Sequence, residues 1–463
     1  MKQLLTARPV ATDFDHSAPG RRPSVLFLNR SYWPDAEATG QLLTELCEDL
    51  TPSFDVTVIA GQPNDNPTNA PYRRHGTEVH HGVRIRRVRH SRFPKRFLPG
   101  RLMNYLSFLV GALWAALWTR RSDVVVVETD PPLLCLIGWC LQRIRGAKLI
   151  CYLQDIHPDI GIALGKFRDR WYLRMLRRLL FHVYCGADQV VVLSRDMRDL
   201  LIAGGVATQR VDCIPNWIDT NLIVPREDSS AFRQRHGLDG QFVVMYSGNI
   251  GLCQRLEDVL EAARQLLHRT DILFLLVGAG ALKPRLEILA RDGRLSNVRF
   301  LPYQPKGELS ESLGAADLHL VPLDPRVSSC LMPSKLYGVL ASGRPLLAVA
   351  PEDCELAELT QREGVGIFVP PAKPDALAQT ISWSADHREE LQDMGIAARK
   401  LAEQQYDRAL GTAKFATLLA AVCSGKPAAP TLEPDSFKPS PDLLCGDPPT
   451  PSKPPTADIP SSR

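Results

Sequence analysis

The sequence predicts an α/β protein made of two doubly wound, Rossmann-like domains facing each other across a cleft. Three observations carry this. Short continuous apolar runs recur along the chain, each followed by a loop and a helical pattern, as expected of parallel strands buried on both faces. The alternation runs to about residue 215, is interrupted by Asn216-Trp217-Ile218-Asp219, and then restarts. A length of 463 residues, 44% hydrophobic and 23% charged, suffices for two or three buried cores.

The elements follow in order. Residues 1–22 lack an apolar core, so they read as a disordered leader, not a signal peptide. In the first domain, 23–215, strands are predicted at 25–29, 56–60, 83–88, 124–128, 148–153 and 190–194. Helices are predicted at 39–50 and from 195 to about 203. In the second, 216–400, strands fall at 242–246, 272–277, 298–301, 318–321 and 346–350, with helices at 256–267, 282–291 and 309–315. An amphipathic segment at 386–422 follows, with a final helix at 401–423. The tail, 424–463, is rich in Pro, Ser, Lys and Asp and buries too little to order itself.

The segment from Met332 to Pro345 carries the most chemistry. Ser334 is a good helix N-cap, Gly343 a good C-terminal residue, and Pro345 blocks continuation. A helix that opens with a hydroxyl and Lys335 is suited to an anion, because free N–H groups and the helix dipole favour negative charge. An ordinary surface helix starting with Ser-Lys would look the same.

Charge is unevenly distributed although the net value is only +4. Between Arg73 and Arg121 stand twelve basic residues and a single acid, Glu78. Residues 102–118 inside that stretch are mostly apolar and carry Tyr105, Phe108, Trp114 and Trp118. This run is short of the roughly 20 residues a membrane span needs. It fits a core helix or a helix lying in the interface of an anionic membrane. No nucleic-acid recognition motif accompanies the arginines. The eleven cysteines show neither a Cys-x-x-Cys pair nor zinc-ligand spacing, which indicates reduced thiols in the cytoplasm.

The segment Pro333-Ser334-Lys335-Leu336-Tyr337 through Leu340-Ala341-Ser342-Gly343-Arg344-Pro345 resembles the nucleotide-sugar segment of family 4 glycosyltransferases. The resemblance is to the subgroup that builds bacterial surface polysaccharides, including colanic-acid-type fucosyl- and aminosugar transferases. Four further segments agree in order. They are Asn29 to Pro34 with Thr39-Gly40, Leu153 to Asp159, Tyr246 to Gly251, and Glu355-Leu356-Ala357 with Gly366 to Pro371. It spans roughly residues 23–422 and implies the GT-B fold.

The resemblance implies a retaining transfer from a UDP- or GDP-sugar to a saccharide acceptor, polyprenyl-linked, on the inner membrane face. Lys335 and Ser334 are assigned to the diphosphate, with the loop Gly248, Asn249 and Gly251 and the neighbouring Arg255. Gly40 is assigned to donor phosphate or acceptor. Asp155 is the catalytic carboxylate, His157 and Asp159 its alternates. Gly278 and Tyr303 line the nucleobase. Gly278-Ala279-Gly280 lacks the third glycine and the ribose-binding acid of a dehydrogenase. No Asp-x-Asp follows a strand, so transfer without a metal or other cofactor is expected.

One departure stands out. The broad family carries two glutamates with seven residues between them, at positions held here by Cys330 and Gly338. The first contacts the donor sugar and the second the ribose. Glu355 is the candidate to replace one of them. Two rival readings therefore stand: an epimerase or hydrolase of the same fold, and an inactive homologue acting through its Pro-rich tail.

Overall fold

The structure is a computed structural model describing residues 21–35, 37–63, 72–93, 98–167, 170–226 and 230–425. Most of the leader, nearly all of the tail, Lys95 and Arg96 lie outside the described residues.

The first sheet contains β1 (Ser24–Leu28), β2 (Asp55–Ala60), β3 (Gly76–His80), β4 (Val83–Arg87), β5 (Val124–Val127), β6 (Lys148–Tyr152), β7 (Gln189–Val192) and β8 (Val211–Cys213). Their order is β3-β4-β2-β1-β5-β6-β7-β8, parallel except for β3 against β4. The second sheet contains β9 (Phe242–Ser247), β10 (Ile272–Val277), β11 (Val298–Leu301), β12 (Leu318–Pro322), β13 (Leu346–Val349) and β14 (Gly366–Val369). Its order is β11-β10-β9-β12-β13-β14. The central strands are buried at every residue, as in the four valines of β5, which is why they read as unbroken apolar runs.

The first sheet carries α1 (Ala38–Leu50), α2 (Leu98–Leu117), α3 (Leu134–Arg145), α4 (Asp159–Ala163), α5 (Trp171–Gly186) and α6 (Arg195–Ala203). The second carries α7 (Ser230–Arg235), α8 (Leu256–Gln265), α9 (Lys283–Asp292), α10 (Leu309–Gly314), α11 (Lys335–Ala341), α12 (Glu355–Arg362) and α13 (Pro374–Asp386). Two more, α14 (Arg388–Gln405) and α15 (Arg408–Ser424), complete the chain. Parallel crossovers are right-handed. The steps from β4 to β7 all run one way, so α2, α3 and α5 share a face. The step from β1 to β2 runs the other way and puts α1 on the opposite face, where α15 packs against it.

Strand order reverses between β1 and β5 in one sheet and between β9 and β12 in the other. Ligands of open α/β sheets bind beyond the carboxyl ends of strands at such points. The chain crosses between the domains at two adjacent places. The Ile218 N–H donates to the Tyr406 carbonyl at 2.9 Å, and the Arg408 N–H donates to the Ile218 carbonyl at 2.9 Å. Asp407 caps α15 through the Ala409 N–H at 2.9 Å and also accepts from Thr220 Oγ1. Arg408 then pairs with Asp49 of α1 at 2.7 Å. The amphipathic segment expected over 386–422 falls mostly into two helices, α14 and α15, with a bend at 406–407 that is the interdomain crossing, and the final helix starts at 408, later than the expected 401. No described helix is long and apolar enough to cross a membrane.

Candidate active site

The second domain's reversal point is built from two loops pressed together. Gly278 has φ +144, and a Cβ there would sit 2.0 Å from the Gly248 carbonyl oxygen, so only glycine permits the contact. The loops are stitched by the Ile250 N–H donating to Ala279 O at 2.9 Å. Tyr246 supports them from below, its hydroxyl donating to Asn249 O at 2.6 Å.

Lys335 runs under this loop. A Cβ on Gly248 would lie 3.2 Å from Lys335 Cε, and Lys335 Nζ lies 5.0 Å from the centre of the Tyr246 ring. Burial lowers its ammonium to about 8. Among the described residues no carboxylate or hydrogen-bond acceptor pairs with it. A half-buried cation held only against an aromatic face is poised for an anion.

One expectation, the cap by Ser334, is corrected at this wall. In the loop 248–251, assigned with Lys335 to the diphosphate, three backbone N–H groups are bonded within the protein. Gly248 donates to Val277 O at 3.0 Å, Ile250 to Ala279 O, and Gly251 to Gln254 Oε1 at 3.1 Å. Ser334 precedes α11 with helical backbone angles (φ −60°, ψ −23°), and its hydroxyl caps nothing. Arg255 has φ +46, and its guanidinium is taken up by Asp258 at 2.9 Å. Glu355, the candidate for a donor or ribose contact, stands at the contact between the domains. Its carboxylate accepts the Arg195 N–H at the start of α6, while its own N–H donates to Asp196 at 2.9 Å. It therefore latches one domain to the other.

Asn249 is exposed at the loop's tip. Tyr303 is also exposed; its phenol meets the Ala279 backbone, and partial burial raises it. Its ring stands beside the Gly278 turn.

The facing wall belongs to the first domain. Asp155 follows β6, and its backbone bridges to Leu331 while the Ile156 N–H donates to Cys330 O at 2.9 Å. The catalytic candidate is thus tied by its backbone to the segment leading into Lys335. Cys253, beside this junction, feels the charges of Lys166, Asp155 and Lys335 together. Burial raises the Asp155 carboxyl and lowers the His157 imidazole, although each group's charge favours the other's. Asp159, the other alternate, is committed to Arg177 at 2.7 Å.

Gly40 lies in the first turn of α1, where a Cβ would come 3.3 Å from Ser31 C and Tyr32 N. It brings the helix onto the loop after β1. Arg30 on that loop pairs with Asp130 after β5 at 2.9 Å, spanning the reversal point. Asp130 also acts on Asp155 and His157. Arg30 and Asp130 were not singled out from the sequence. The available signal was the loop Thr129-Asp130-Pro131-Pro132 at a strand's carboxyl end.

The carboxylates absent at 330 and 338 are accounted for differently. Cys330 is buried and uses its backbone for the domain contact. At Gly338 an added Cβ would meet only Leu313 Cδ1, at 3.5 Å, so packing does not require glycine there.

The chain matches a glycosyl transferase 4-like domain over residues 38–217 and the glycosyl transferases group 1 over 228–401. It is 31% identical to the probable glycosyltransferase WbjE of Pseudomonas aeruginosa over 300 residues, 64% of this chain and 74% of that protein. It is 31% identical over 317 residues to the putative colanic acid biosynthesis glycosyl transferase WcaI of Escherichia coli K12, 66% of this chain and 77% of that one. The chain belongs to glycosyltransferase family 4. This glycosyltransferase also shares its fold with Anabaena HepE, solved with UDP-glucose, at TM-score 0.66 and 18% identity over 86% of this chain and 99% of that one. Sucrose-phosphate synthase from Thermosynechococcus elongatus matches at TM-score 0.69 and 17% identity over 88% of this chain and all of that one. The GT-B arrangement expected from the sequence is therefore the one observed, and the protein is a transferase of polysaccharide biosynthesis.

Proposed function

We propose that this glycosyltransferase moves a sugar, with retention, from a UDP- or GDP-sugar to a lipid-linked saccharide at the inner membrane face. The observation that carries the reading is the ammonium of Lys335 under the Gly248 loop, without an ion-pair partner among the described residues, on the segment whose Leu331 bridges to Asp155. HepE, of the same fold, was solved with UDP-glucose, which agrees with a nucleotide-sugar donor.

In this reading the bond from the sugar C1 to the diphosphate oxygen breaks, and its electron pair leaves on the diphosphate beside Lys335. Asp155 faces the developing oxocarbenium charge. The acceptor oxygen bonds to C1, and its proton passes to His157, which burial keeps neutral. Tyr303 stacks on the base, and Arg30 with Asp130 orients the acceptor. The acceptor's lipid is met by α2, whose outer side exposes Leu102, Leu106, Val110 and Trp114, with Trp118 just past its end, at four-residue spacing.

The reading is tested by incubating the protein with labelled UDP- and GDP-sugars, with and without a membrane lipid extract. Nucleotide release that needs the extract, with label moving into lipid, supports it. Release without acceptor identifies a hydrolase or epimerase. No release with any donor identifies the inactive homologue that the missing carboxylates at 330 and 338 would suit.

A further inference from the structure

We propose that Glu48, His80 and His81 form a site for a divalent cation of the zinc class, which ties the β3–β4 turn to α1.

The geometry comes from an unusual turn. Consecutive strand residues point to opposite faces, so two adjacent histidines at a strand end should diverge. Here the hairpin closes through His81-Gly82, with φ +45 at His81 and +83 at Gly82, the left-handed pair of a two-residue hairpin turn. Histidine is one of the few non-glycine residues enriched in that conformation. The turn swings the His81 ring onto His80, centroids 4.1 Å apart and planes at 17°. The other face of His80 stacks on Trp33 at 3.8 Å, which fixes its orientation.

Both rings then aim at one carboxylate oxygen. His80 Nε2 lies 3.4 Å from Glu48 Oε1, and His81 Nδ1 lies 2.9 Å from it. A tetrahedral ion with bonds of about 2.0 to 2.2 Å holds its ligand atoms roughly 3.3 Å apart; the three atoms here lie within 4.8 Å of one another, and the exposed His81 ring turns out of its stack on His80 to bring its in-plane lone pair onto the ion. Glu48 is oriented from behind, its Oε2 lying 3.7 Å from Arg408 Nη2, and Arg408 is held in turn by Asp49. The His81 side chain is exposed, so a fourth position is open to water. Two imidazoles and one carboxylate favour zinc, nickel or cobalt over magnesium or calcium. The site lies outside the cleft, and its role is structural. Through Trp33, which takes a hydrogen bond from Arg87 and donates one to Thr44 at 3.1 Å, it stiffens the loop between β1 and α1.

The test is calorimetric titration of the full chain, freed of metal by a chelator, with Zn²⁺ and Ni²⁺, beside Glu48→Gln and His81→Asn. Asparagine tolerates the left-handed turn, so the second variant keeps the hairpin. The proposal requires one equivalent bound by the wild type and weakened at least 10-fold in each variant. Cobalt should give tetrahedral d–d bands without thiolate charge transfer. Zinc should raise the melting temperature of the wild type but not of His81→Asn. Equal uptake by all three proteins, or a cobalt–thiolate spectrum from the free cysteines, would overturn it.

Discussion

Lys335 shows how one residue's surroundings set its behaviour. Its ammonium has aromatic carbon on one side and glycine backbone on the other, which lowers it to about 8. A diphosphate binds the charged form. Above about pH 8 the free protein must therefore take up a proton to bind, and affinity should fall roughly tenfold per pH unit. Lys335→Arg, which stays charged, should flatten that dependence. Calorimetric titration with a nucleoside diphosphate between pH 7 and 10 checks it, and a wild-type profile as flat as the variant's would count against this role for Lys335. Glu128 is a second instructive residue. It is buried beside Cys47 and Tyr152 with neither carboxylate oxygen hydrogen-bonded, so burial raises it well above its ordinary 4.5. The folded chain keeps a proton that the unfolded chain releases, so stability is full below the ordinary value and declines as pH rises from there. Glu128→Gln removes this slope. The variant should gain on the wild type in melting temperature on going from about pH 5 to pH 8. A gap that does not change with pH would show that Glu128 ionises in place.

At the scale of elements, the sequence was most legible where burial is complete. The strands of both sheets read as apolar runs because parallel strands hide both faces. The end of α11 was equally plain, since Gly343 adopts φ +66 where Gly-Arg-Pro stops the helix. The start of α11 was not, because capping by Ser334 depends on a backbone angle that composition does not fix. β3 was missed because an exposed edge strand carries little apolar signal. Two members of the arginine-rich stretch have partners within the sheet. On β4, Arg87 is a buried partner of Glu78 at 2.6 Å, and Arg84 lies 3.6 Å from Asp55, so these charges hold the sheet together. The proposed membrane contact would use the face shared by α2, α3 and α5. None of these helices contains an Asp or Glu, and α5 exposes Trp171, Met175 and Leu179 at four-residue spacing. Trp114→Glu together with Met175→Glu should abolish flotation with anionic vesicles while leaving the melting temperature within a few degrees. Unchanged flotation would move the contact elsewhere. Gly338, in the middle of α11, gives a second prediction for an element. Gly338→Ala should stabilise by about 0.5 to 1 kcal/mol in chemical denaturation, since the site has room and alanine favours helix. Gly338→Glu restores the carboxylate found in the broad family and should lower the KM for the sugar nucleotide.

At the scale of the whole molecule, the cleft is shaped by contacts between residues far apart in the chain. Glu355 accepts from the Arg195 N–H across 160 positions, Trp217 donates to Glu45, and Arg408 reaches Asp49. No local pattern reveals such pairs, so the part that Glu355 takes in the domain interface was not legible. Asp155 was legible as a loop acid at a strand end, but its backbone contact with Leu331 was not. That contact sets the catalytic candidate against the donor wall, so the central claim is that a nucleoside diphosphate lodges between them on Lys335. The most direct measurement is the thermal shift of the full chain with UDP and with GDP, wild type beside Lys335→Ala. Binding to the folded state alone raises apparent stability by an amount set by concentration over affinity. The account predicts stabilisation by one of the two diphosphates, with apparent affinity weakened about 10- to 100-fold in Lys335→Ala, the loss expected for one charged hydrogen bond. Stabilisation by neither diphosphate, or equal stabilisation of both proteins, would contradict it.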